Sequence, residues 1–268
     1  CQPTDHVPCC FSAFKILEDR CANQAEFLQR QLDLGLDVMA RINTLPPLFD
    51  PRVSIREWRV EPPGARYPIL HKIYETPAGA LHTSVEQSED WPWGDHIPFL
   101  DDFLIPRSTK FLISPGDSLE ALGYLLAPPT GDQIQQFRAS AQQTMALARQ
   151  HDLLTMGAYG MVAEMASWLV GISQLVMLTA DAPDFLEALL AVIERWHRER
   201  MALVLEQGVD LFVRRAWYEN ADFWSPPLFR RFVLPSLRPD VEMAHAAGAK
   251  LGYLMSAASI PLLDLMIE

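Results

Sequence analysis

The sequence predicts an α/β protein in which helices cover a parallel sheet. Three observations carry that expectation: helical stretches alternate with short strands, the connecting loops are brief, and the strands are apolar throughout instead of alternating with polar residues. Five such strands are expected, near residues 8, 38, 154, 210 and 251. A closed (β/α)8 barrel takes eight, and each further unit takes about 30 residues. The pattern therefore fits a barrel without its last strands, or an open doubly wound sheet complete with five.

The elements follow in order. Residues 7–14 (VPCCFSAF) form a short apolar stretch that predicts a buried strand. Residues 24–34 predict an amphipathic helix that Gly35 terminates, and residues 37–42 a second strand. From 43 to 113 the texture changes. Prolines recur at 46, 47, 51, 62, 63, 68 and 77, and YPILHKIYETPAGALHTSVEQ predicts two strands around a Pro-Ala-Gly turn. The irregular, aromatic and acidic WPWGDHIPFLDDFLIP follows. This block, 43–113, is expected to be an insertion packed on one domain that occupies the whole chain.

Alternation then resumes. Asp117 is placed to cap a helix over 118–126, and a long helix over 131–149 precedes a strand at 153–159. Short helices are expected at 161–169 and 173–178, and Pro183 opens a helix over 184–207. Gly208 ends it before a strand at 209–216 (VDLFVRRA). Ser225 and Pro226 start a further helix, which Pro235 is expected to break before residues 240–247 continue. A last strand at 250–255 and a helix at 260–267 close the series.

At 268 residues, with 49% apolar and 21% charged residues, the chain can bury one sizeable core. No apolar run reaches the roughly 18 residues that span a bilayer. The formal charge of −12 argues against nucleic acid, which demands a basic footprint. An acidic substrate would be held only where arginines gather locally. The chain begins at Cys1 without a basic–apolar leader, which predicts a trimmed start and a cytoplasmic protein. Cys1, Cys9, Cys10 and Cys21 show no paired C-x-x-C zinc spacing. Cys9 and Cys10 read as buried strand residues, with reactive thiols as the alternative.

The stretch GVDLFVRRAWYENADFWSPPLFRRFVLPSLRPDVEMAHAAGAKLGYLMSAA carries several spaced motifs. Gly208 and Asp210 mark a Gly-x-Asp strand, and Ser225-Pro226-Pro227-Leu228-Phe229 a Ser-Pro-x-x-Phe helix start. Phe232 to Pro235 form a Phe-x-x-Pro break, and Ala246 to Lys250 a glycine-bearing approach to the next strand. Upstream lie MGAYGMVAEMASWLVG and the hairpin YETPAGAL. Together, from about Leu70 onward, these resemble the uroporphyrinogen decarboxylase superfamily. The resemblance implies a (β/α)8 barrel with its site at the C-terminal ends of the strands. It implies one of two chemistries: cofactor-free decarboxylation of a tetrapyrrole acid, or zinc-dependent methyl transfer between thiols, methylamines or aryl ethers and a corrinoid protein.

Each branch makes a demand on specific positions. The methyltransferase branch carries His-x-Cys-Gly zinc ligands where this chain reads Leu254-Met255-Ser256-Ala257, so no metal is expected there. The decarboxylase branch places an arginine-rich segment after the first strand and an aspartate after the second. This chain has Ser12-Ala13-Phe14-Lys15 and Arg41-Ile42-Asn43 in those places.

Candidates therefore come from strand ends. Of Arg214 and Arg215 only one can point inward, because strand side chains alternate faces. Either binds an anionic substrate or pairs with a carboxylate such as Asp222. Tyr218 and Glu219 are candidate acid/base partners, with a solvated loop as the alternative. Arg41, Tyr159 and Ser256 stand at predicted strand ends as candidate substrate contacts. His96 belongs either to a lid or to a packed aromatic insertion. His197, among Arg195, Arg198 and Arg200, reads as a solvated or subunit-facing surface, compatible with a homodimer. The functional expectation is a metal-free, cofactor-free decarboxylase-like lyase acting on a small acidic, possibly tetrapyrrole, substrate. The alternatives are a corrinoid-dependent methyltransferase served by a corrinoid protein, and a non-catalytic binding protein on a degenerate barrel.

Overall fold

The computed structural model describes residues 15–267, so the strand expected at 7–14 lies outside the described residues. Helices α1 (Lys15–Glu18) and α2 (Gln24–Asp33) lead into strand β1 (Met39–Asn43). Strands β2 (Ser54–Val60), β3 (Ile69–Thr76) and β4 (Gly79–Glu86) follow, then α3 (Leu104–Arg107) and β5 (Ser108–Lys110). Helices α4 (Leu119–Leu125) and α5 (Gly131–Gln150) precede β6 (Leu154–Gly160), and α6 (Ala163–Val170), α7 (Ile172–Asp181) and α8 (Pro183–Leu205) precede β7 (Leu211–Arg215). Helices α9 (Pro226–Leu228) and α10 (Leu234–Ala246), strand β8 (Lys250–Leu254) and helix α11 (Leu263–Ile267) complete the chain.

Local chemistry explains most boundaries. Asn23 caps α2 by accepting from the Glu26 amide at 3.0 Å, and Gly35 turns the chain away at a φ of +73°. Thr130 and Gln133 form a reciprocal capping box at the start of α5. Two expectations are corrected here. Ser118, not Asp117, caps α4; the Asp117 carboxylate turns back to accept from the amide and hydroxyl of Ser114. Pro235 does not break its helix. A π turn over Phe229–Val233, in which the Leu234 amide donates to the Phe229 carbonyl, widens the preceding turn and lets α9 continue into α10.

The strands form two sheets. One is parallel, in the order β1-β6-β7-β8; the other is antiparallel, β2-β3-β4-β5. The parallel order follows the chain without reversal, whereas a doubly wound sheet changes direction at a switch point. The sheet does not close on itself among the described residues, where β1 and β8 are its edges. The fold is thus mixed α/β with a single direction of winding. The 43–113 block holds the expected hairpin, β3 with β4, and adds β2 and β5 on either side of it.

The two faces of the parallel sheet differ. Ile42, Phe212 and Ala249 pack with Met145, Met201 and Val204 under helices α5, α8 and α10. Met156, Ala158 and Val213 face the other way, with Met39, Tyr159 and Leu211 against them. Tyr74 and Leu81 of the antiparallel sheet share a core with α4, α6 and α8, which joins the two sheets. The surface expected around His197 is corrected as well: His197 and Arg200 are 2% and 1% exposed, His197 meeting Phe212 of the sheet and Arg200 donating to the Ala127 carbonyl. Among the described residues no single helix is long and apolar enough to cross a membrane.

Candidate active site

The C-terminal ends of β1, β6 and β7 converge on a cavity of about 380 Å³. Asn43 and Thr44 line it from β1, Ala158 and Tyr159 from β6, and Arg215 from β7. Asp101 and Asp102 close it from the loop before α3, and Met161, Trp168 and Trp196 from the helical side. Its volume is at the small end of the range for small-molecule sites.

Strand alternation decides which arginine reaches it. Leu211, Val213 and Arg215 share the inner face, so Arg215 arrives at the cavity. Arg214 points to the helices instead and is 0% exposed. There its guanidinium donates to Asp240 at 2.8 Å, to both Glu219 oxygens at 3.1 and 2.9 Å, and to Ser236 at 2.9 Å. Glu219 also accepts from the Ala163 amide and the Tyr253 hydroxyl. Asp240 accepts from His197 at 3.0 Å. Burial pushes the Asp240 carboxyl up, but the His197 hydrogen bond and the charge of Arg214 outweigh it and hold it below its ordinary value. This buried network ties β7 to α6, α8 and α10, with Arg214 Nε left without a hydrogen bond.

A β-bulge aims Tyr159. Ala158 pairs with Val213 and Gly160 with Arg214, which leaves Tyr159 as the extra residue at the strand end. Arg41, on the inner face of β1, stacks over its ring at 5.5 Å.

Arg215 lies between two indoles, 5.1 Å from the ring centre of Trp168 and 4.4 Å from that of Trp217. Its Nη2 approaches Glu164 at 2.8 Å. The approach is off the hydrogen-bonding direction, so both Glu164 oxygens lack a hydrogen bond. Glu164 is 0% exposed at the start of α6. Burial pushes its carboxyl up to about 7; Arg215 opposes this, and the charges of Glu219 and Asp102 add to it.

Asp102 accepts from Trp168 Nε1 at 2.8 Å and from the Tyr218 hydroxyl at 3.2 Å. Burial and then the Asp102 charge push that phenol up to about 12. Asp101 accepts from the Phe103 amide. Neither aspartate is in an ion pair among the described residues.

The residues proposed from sequence therefore divide. Tyr159 and Arg215 line the cavity, with Arg41 and Tyr218 one contact behind it. Arg214 and Glu219 belong to the buried network. His96 is in the loop between β4 and α3, 54% exposed, with Nδ1 3.0 Å from Glu57 of β2. Ser256 is exposed and donates to the Trp217 carbonyl at 3.0 Å; it is the only polar side chain of Leu254-Met255-Ser256-Ala257. Among the described residues no three His, Cys, Asp or Glu side chains are grouped to hold a metal ion. Sequence reasoning missed Asp101, Asp102, Glu164 and Trp168. For Glu164 a signal existed: it is the one charge in the apolar run MVAEMASWLV.

No protein-family model matches the chain, and no curated protein sequence does. A solved structure of similar fold is a methyltransferase from Methanosarcina mazei. The likeness has a TM-score of 0.51 at 16% identity and covers 100% of this chain and 70% of that one. At such identity it is a likeness of fold. It places the chain among α/β proteins built on the same scaffold as that methyltransferase.

Proposed function

We propose that the protein is an enzyme that transfers a methyl group to or from a small molecule held in this cavity. One observation carries the reading: two carboxylates without a cationic partner, Asp101 and Asp102, face a cavity walled by Tyr159, Trp168 and Trp196. Methyl transfer onto nitrogen builds positive charge there in the transition state, and transfer from an ammonium begins with that charge in place. Fixed carboxylates stabilise the developing charge in the first case and bind and orient the cation in the second. The fold shared with a methyltransferase supports the same choice.

Decarboxylation of a polyacid fits less well. Among the described residues Arg215 is the only cationic side chain in the lining, and Glu164 already faces it. The two aspartates disfavour a substrate that carries several carboxylates. The scaffold itself we read as an arc of a (β/α)8 barrel of the uroporphyrinogen decarboxylase type. The unreversed strand order and the fold likeness along the whole chain support that reading.

The test supplies purified protein with ¹³C-methyl-labelled methylamines, cob(I)alamin or a small thiol as acceptor, and a parallel set of carboxylic acids. Labelled methyl on the acceptor is expected. Release of CO2 from an acid, without methyl transfer, would overturn the reading.

A further inference from the structure

The cavity holds opposite charges on separate elements. Asp101 and Asp102 present carboxylates from the loop before α3, and Arg215 presents a guanidinium from the end of β7. Arg215 and the aspartates form no ion pair with one another. Two donors on lining residues, Arg215 Nε and Trp196 Nε1, are buried without a hydrogen-bond partner. Both atoms are shut off from the cavity by their own burial, so a ligand carboxylate would meet the exposed part of the Arg215 guanidinium that lines it. Leu45, Pro46, Pro47, Leu100 and Met161 supply apolar wall between the polar groups. Such a wall suits N-methyl groups better than N–H groups, which need acceptors.

We infer that the ligand of this site is a small zwitterion, an N-methylated ammonium compound bearing a carboxylate, with the carboxylate on Arg215 and the ammonium facing Asp101 and Asp102. The assignment rests on the cavity being the site of the function proposed above. It would stand as a binding specificity even if the reaction were of another kind.

Arg215 cannot serve two carboxylates equally. As the ligand carboxylate docks, Glu164 loses part of its hold on the guanidinium and takes up a proton, which leaves the net charge around Arg215 unchanged. The carboxyl is already close to half-protonated near neutrality, because burial pushes it up to about 7. Ligand affinity should therefore rise as pH falls through neutrality. The other charges facing this point are Asp102 and Glu219, both of which disfavour ionised Glu164.

Titration calorimetry with glycine betaine, tetramethylammonium and acetate separates the parts. Betaine should bind about tenfold more tightly than tetramethylammonium, the return from one charge-assisted contact, and acetate most weakly. In buffers of different ionisation enthalpy, betaine binding at neutral pH should consume a fraction of a proton. Arg215→Gln should bring betaine down to the affinity of tetramethylammonium, and Arg215→Lys should restore part of the difference. Asp102→Asn keeps an acceptor for Trp168 and Tyr218 but removes the charge, and should weaken both cations. Equal binding of betaine and tetramethylammonium to the wild type, acetate binding as tightly as betaine, or no binding of betaine would each overturn the inference. Betaine binding without labelled-methyl transfer would instead sink the proposed reaction and leave this assignment intact. Methyl transfer from methylamines that carry no carboxylate, without betaine binding, would do the reverse.

Discussion

Glu164 sits where a carboxylate is hard to ionise: it is fully buried, its oxygens lack hydrogen bonds, and other carboxylates are near. Its folded-state value of about 7 lies above the ordinary 4.5, so the folded protein binds the extra proton between those values. The stability this confers is complete below the ordinary value and is lost as pH rises through about 7. A rise of that size corresponds to about 3 kcal/mol. Denaturant unfolding of wild type and Glu164→Gln from about pH 4 to about pH 8 should show the wild type losing roughly that amount relative to the variant. Parallel curves would contradict the burial argument. Glu219→Ala has a different signature. It strands Arg214 among buried groups, so unfolding free energy should drop by about 3–5 kcal/mol at neutral pH, whereas a solvated loop glutamate would cost almost nothing. The difference between Arg214 and Arg215 was legible, since alternation allows only one to face the cavity. Which one was not, because that depends on the sheet's inner face, and nothing local to VDLFVRRA records it.

At the scale of elements, close approach sets what sequence can show. Helix α8 lies so near β6 that a Cβ on Gly160 would come within 2.2 Å of His197, and one on Gly157 within 2.3 Å of Val204. Gly160→Ala should therefore cost about 1–3 kcal/mol through overpacking and lower Tm. A calorimetric scan that found Tm unchanged would mean the helix can shift at no cost. Both glycines serve helix packing. Helices with strong ends, such as α2 and α5, and the strands at β6, β7 and β8 could be read because their apolar pattern and caps are local. Strand β2 could not: SIREWRV is an edge strand exposed along most of its length, so no burial alternation marks it. The continuation through Pro235 was hidden for another reason, since a π turn has no sequence signature of its own.

Across the whole molecule, the direction of winding was the least legible property. Four parallel strands in chain order need the β1-to-β6 pairing, which joins residues more than a hundred positions apart across the antiparallel sheet. The candidate site suffers from the same distance. Asn43, Asp102, Tyr159, Trp168 and Arg215 come from separate elements, and Asp102 lay unnoticed in a block whose aromatic residues drew attention to His96. A net charge of −12 remains compatible with a site whose ligand carries both signs, because the cavity's own carboxylates and single guanidinium set the local field. The most direct measurement is the rate of ¹³C-methyl transfer by wild type and by Asp102→Asn. The variant retains the acceptor for Trp168 and Tyr218 and loses only charge. Transfer by the wild type, reduced about a hundredfold in a variant of unchanged Tm, is the predicted result. Transfer at equal rates in the two proteins, or none in either, would contradict the account.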